Sequence, residues 1–81
     1  MIARHLVIHG RVQGVGYRDW LAQTARARGL TGWVRNLTDG TVEAVLAGPE
    51  AALQSCLTAC QDGPPLARVS RIENTPALSR A

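Results

Sequence analysis

The chain has 81 residues, of which 46% are hydrophobic and 19% charged, with a formal net charge of +3. That length holds one domain, spanning residues 1–81, with a modest core. The composition is too apolar for disorder, and the chain lacks the run of about 20 apolar residues that a membrane span needs. All nine basic residues are arginine, scattered from Arg4 to Arg80 among two tryptophans, one tyrosine and no phenylalanine. A stripe of cations interleaved with stacking aromatics is missing, which speaks against a nucleic-acid groove and for a small anionic ligand.

Taken in chain order, the first element is a strand from about Arg4 to Val12, with Leu6 and Ile8 on one side and His5, Val7 and His9 on the other. No signal-peptide layout precedes it, so a cytoplasmic protein is expected. A helix follows over Asp19 to Arg28, with Leu21, Thr24 and Ala25 on one face and Trp20 beside it. Asp19 is favourably placed in its first turn, and Gly29 supplies a left-handed cap over which Leu30 folds back. Thr31 to Leu37 reads as strand two. Asp39-Gly40 marks a tight hairpin, and strand three, Thr41 to Ala47, sets Val42, Ala44 and Leu46 against Glu43, Val45 and Ala47.

Gly48-Pro49 introduces a second helix ending near Gln61, with Leu53, Cys56, Leu57 and Cys60 at i, i+3, i+4 and i+7. The two cysteines read as buried free thiols, since a metal site needs more ligands than this helix turn offers. Asp62-Gly63-Pro64-Pro65 is a rigid loop, and Ala67 to Glu73 forms a fourth strand. The stretch 74–81 is weakly patterned, consistent with a loose tail. The order β-α-β-β-α-β implies an α+β ferredoxin-like sandwich: a four-stranded antiparallel sheet with two helices on one face. Trp20 and Trp33 read as packing residues.

The chemistry concentrates between strand one and the first helix, in Gly10-Arg11-Val12-Gln13-Gly14-Val15-Gly16-Tyr17-Arg18. Gly14 and Gly16 let the backbone curl so that successive N–H groups converge, and the helix start adds its unpaired amides and positive dipole end. A phosphate suits such a place, with the Arg18 guanidinium clamping it from the other side. Gln13 either folds over the loop or touches a ligand, the structural role being favoured. Arg11 either adds positive potential at the loop's mouth or lies in solvent. A second run, Gly32-Trp33-Val34-Arg35-Asn36-Leu37-Thr38-Asp39-Gly40-Thr41-Val42, ends in Asn36, whose amide both donates and accepts and suits holding a water in line with phosphorus. Arg35, its neighbour, points to the opposite face.

These two runs, in this order and at this separation, with Gly48 beyond them, resemble the two signatures of the acylphosphatase family, and the element order agrees from Leu6 to Ile72. Tyr17 stands where the family usually has phenylalanine or methionine, and the C-terminus is shorter than usual. The resemblance implies hydrolysis of acyl phosphates to a carboxylate and inorganic phosphate, with no metal and no organic cofactor. Matched to the motif, Arg18 is the phosphate-binding arginine and Asn36 positions the water. The backbone of Val12, Gln13, Gly14, Val15, Gly16, Tyr17 and Arg18 completes the phosphate site. The partners implied are a small-molecule acyl phosphate and inorganic phosphate, without nucleic acid or membrane, and a monomer is expected. Two alternatives stand beside this one: a non-catalytic module that senses phosphate or acyl phosphate, and an RNA-binding ferredoxin-like domain.

Overall fold

Four strands and two helices make up the computed structural model, which describes residues 2–77. They are β1 (Ile2–Arg11), α1 (Tyr17–Ala27), β2 (Thr31–Asn36), β3 (Val42–Gly48), α2 (Glu50–Asp62) and β4 (Arg68–Pro76). The strands lie side by side in the order β2-β3-β1-β4, every neighbour antiparallel. Both helices cover one face, giving the ferredoxin-like sandwich.

The alternation of side chains in the strands decides which face is covered. Leu6 and Ile8 of β1 sit in register with Ala44 and Val42 of β3, and all four are fully buried. Leu21 and Ala25 of α1 and Leu53, Cys56 and Cys60 of α2 close over them in one core. Each large apolar side chain removed from water this way stabilises the fold by about 1.5–3 kcal/mol. The two cysteines are free, buried thiols. Cys60 is pushed well above the ordinary thiol range by its hydrogen bond to Cys56 and by burial, so it packs as a small apolar residue.

The other face is polar. Glu43 accepts a hydrogen bond from Arg35 Nε at 2.6 Å and shares one with His5 Nε2 at 2.8 Å; Glu73 shares one with His9 Nε2 at 2.6 Å. The bond to His5, then the one to Arg35, holds the Glu43 carboxyl below its ordinary value, and the bond to His9 does the same for Glu73. Trp33 belongs to this face and not to the core: it is 44% exposed, with the Arg35 guanidinium 5.0 Å from its ring centre. Trp20 does pack at the core's edge, tilted against Tyr17 with ring centres 5.3 Å apart.

Three boundaries differ from the sequence reading. First, α1 begins at Tyr17, ahead of Asp19. Its far end is as expected: Leu30 N donates to Ala25 O and Gly29 N to Arg26 O, the paired bonds of a Schellman cap. Second, the β2–β3 connection is wider than a two-residue turn. Leu37 N donates to Thr41 O across three loop residues, and Asp39 Oδ1 accepts from both Thr41 N and Thr41 Oγ1. Third, β4 runs past Glu73 to Pro76, into the stretch read as a loose tail. Asn74, Thr75 and Pro76 pair with Leu6, His5 and Arg4 of β1, and Arg4 Nε donates to Asn74 Oδ1 at 2.9 Å. Pro76 is tolerated because β4 is an edge strand, where a missing N–H breaks no ladder. The rest of the tail reading, 78–81, falls outside the described residues.

Tyr17 links this core to the chain that precedes α1. Its ring is buried, and its hydroxyl donates to Cys60 O near the end of α2 at 2.9 Å. Burial drives the phenol's ionisation far above its ordinary range, so it remains a donor. Tyr17→Phe keeps the ring and loses that bond; an expected loss of about 1 kcal/mol is to be read as a lower midpoint in thermal unfolding.

Candidate active site

Beyond Arg11 the chain leaves the sheet and turns through residues 12–16 into α1. Val12 is anchored in the core and Val15 packs against it, so these side chains hold the loop down and present its backbone outward. Gly14 and Gly16 have φ of 73° and 79°, the left-handed region that side chains with a Cβ rarely adopt. A Cβ built on either glycine meets nothing within 4 Å. Backbone conformation, not crowding, is what demands glycine here, and the space beside both is open.

The bend leaves a row of amides uncommitted. No side chain caps α1, and its first internal bond runs from Trp20 N to Gly16 O. Among the described residues, none of the N–H groups from Gln13 to Asp19 donates to a backbone or side-chain acceptor. Helix-start amides of this kind, with the dipole's positive end behind them, draw an anion.

A cavity of about 150 Å³ opens against this row, lined by Val12, Gly14, Gly16, Tyr17, Arg18, Asp19 and Asn36. At about 30 Å³ per water in the liquid, it has room for a tetrahedral oxyanion with a water beside it. Arg18 and Asn36 therefore share one cavity, although they come from different elements. Asn36, the last residue of β2, is exposed and forms no side-chain hydrogen bond with any described residue. Arg18 is half exposed, and its Nη2 lies 2.9 Å from Asp19 Oδ1. Asp19 is more than a partner of the helix dipole: it also lines the cavity and holds the guanidinium.

Gln13 takes the structural of its two roles. Its Nε2 donates to Leu37 O at 2.6 Å and to Thr41 O at 2.8 Å, tying the loop to the mouth of the β2–β3 hairpin just beyond Asn36. The Tyr17 side chain points into the core, so at the cavity it can offer only backbone. Among the described residues no group of histidine, cysteine, aspartate and glutamate is placed to hold a metal ion. An RNA platform needs several stacking rings on the open sheet face; this face carries Trp33 alone among tyrosines and tryptophans, with Arg35 over it. No described helix is long and apolar enough to cross a membrane.

Known proteins share this sequence pattern and shape. The acylphosphatase family model matches residues 4–80. An acylphosphatase of Azorhizobium caulinodans is 60% identical over 77 residues, 95% of this chain and 81% of the relative. One from Acidiphilium cryptum is 56% identical over 75 residues, 93% of this chain and 82% of the relative. The crystal structure of the Bacillus subtilis acylphosphatase superposes with a TM-score of 0.94 at 42% identity, covering 99% of this chain and 89% of that one. Over nearly its whole length the chain thus matches these proteins in fold and in about half of its residues, and it belongs to the acylphosphatase family.

Proposed function

We propose that this protein hydrolyses acyl phosphates to a carboxylate and inorganic phosphate, with Arg18 and the amides of Val12 to Arg18 binding the phosphoryl group and Asn36 positioning the attacking water. The observation that carries this reading is the single cavity onto which uncommitted amides, a guanidinium and a free carboxamide all open.

Phosphoryl transfer asks for positioning and for stabilisation of charge on three equatorial oxygens. The loop amides and the Arg18 fork meet the oxygens from two sides, and a dianion displaces Asp19 from the guanidinium because it carries more charge and more acceptors. The Asn36 amide holds a water by one donated and one accepted hydrogen bond. The leaving group is a carboxylate of low pKa, which departs without a proton and so needs no general acid. Among the described residues no histidine lines the cavity, and its one carboxylate, Asp19, lies against Arg18 with no hydrogen bond to Asn36. A non-bridging phosphate oxygen then takes the water's proton.

Benzoyl phosphate and the purified protein, with a chelator present and no metal added, test the reading. Multiple turnover with release of benzoate and phosphate is expected. Tight binding of inorganic phosphate with no hydrolysis would leave only an anion-sensing module.

A further inference from the structure

The reaction above leaves the acyl group unplaced, and the sheet order says where it goes. In-line displacement sets the attacking and leaving oxygens on opposite sides of phosphorus. Along this end of the sheet the strands run β2-β3-β1-β4. The loop that follows β1 therefore has Asn36, at the end of β2, two strand spacings (about 10 Å) away on one side. On the other side, at the start of β4, Arg68 is one spacing away. Water held by Asn36 drives the leaving carboxylate toward β4.

A second cavity, of about 490 Å³, opens there. It shares Gly14 with the first and is lined by Arg11, Val15, Pro65, Leu66 and Arg68. Its lining is mostly polar, with one apolar patch made by Val15, Pro65 and Leu66, the last 74% exposed. Its rim is cationic: Arg11 and Arg68 are direct partners in the β1–β4 register. Like charges placed opposite each other across two strands are destabilising. Arg4, Arg18, Arg28, Arg35 and Arg71 each have a polar partner, whereas Arg11 and Arg68, like Arg26 at a different cavity, make neither an ion pair nor a side-chain hydrogen bond among the described residues. An anion between them would turn a repulsive pair into a clamp.

Resting on the hydrolase reading, we propose that this second cavity seats the acyl group, and that Arg11 and Arg68 select acyl phosphates whose short acyl chain ends in a second anion. The patch of Val15, Pro65 and Leu66 accommodates the methylenes, and the two guanidiniums take the terminal charge.

The test compares kcat/KM for succinyl phosphate and 3-phosphonopropanoyl phosphate, ending in carboxylate and phosphonate, with that for butyryl phosphate, their uncharged counterpart. For the wild-type protein a preference of about tenfold for at least one charged substrate is expected at low salt, weakening as salt screens the rim. The larger preference identifies the terminal group. In Arg11→Ala/Arg68→Ala the charged-to-uncharged ratio should fall to near one, and Arg11→Lys/Arg68→Lys should restore part of it. Taking the ratio cancels any loss common to all substrates, including partial misfolding. If the wild type hydrolyses all three at similar kcat/KM, or the double alanine variant keeps the preference, the acyl site is overturned while the hydrolase reading stands. If the wild type hydrolyses none of them, or benzoyl phosphate, both readings fall.

Discussion

Arg18→Ala is expected to lower kcat/KM for benzoyl phosphate by about 10³-fold or more, the loss typical when a guanidinium is removed from a phosphoryl-transfer site. The size follows from geometry: Arg18 is the one cation lining the cavity, which it shares with the loop glycines. Its present partner, Asp19, is on the surface and gives way to a dianion. Arg18→Lys should fail nearly as badly, because an ammonium is a point charge and cannot make two parallel bonds to two phosphate oxygens. Steady-state kinetics with circular dichroism checks both variants. A lysine variant with full activity refutes the clamp, since charge alone would then suffice. The fold should survive either change, as this side chain is half exposed and outside the core.

Asn36→Ala separates positioning from binding. The expected result is a fall in kcat of about 10²-fold, the scale of losing one oriented reactant. Inorganic phosphate should remain a competitive inhibitor within about threefold of its wild-type strength, because the amides and Arg18 proposed to bind it are untouched. Loss of phosphate affinity in step with kcat would make Asn36 a ligand of the phosphoryl group instead. Among the described residues Asn36 has no side-chain bond to lose, so truncation leaves β2 and its pairing with Val42 intact and the kinetics report on the cavity alone.

Much of this was legible in the residues because the information was local. Alternation grouped Leu6 with Ile8, and Val42 with Ala44 and Leu46, on one side of their strands, and all five are buried. Two glycines before a helix announced the left-handed bends at Gly14 and Gly16. What escaped is what depends on distant partners. The carbonyls that Gln13 bonds lie 24 and 28 residues away, so no local pattern could reveal them. Asn74 to Pro76 look unpatterned along the chain and become a strand only because β1 offers a free edge to pair with. Trp33 has the look of core, yet its place on β2 puts it on the face without helices, where Arg35 covers its ring. Asp19 was visible as a residue, but its double position, at the helix start and at the cavity, needed three dimensions.

The tie from Gln13 to the hairpin carries a dynamic consequence. One carboxamide fastens the curl of the chain to the rim that bears Asn36, so the two halves of the cavity cannot drift apart independently. The ordering that an arriving dianion would otherwise impose is completed when the polypeptide folds. Capture of the ligand then carries little conformational penalty, and an enzyme of this size can hold reacting atoms in line without a closing lid.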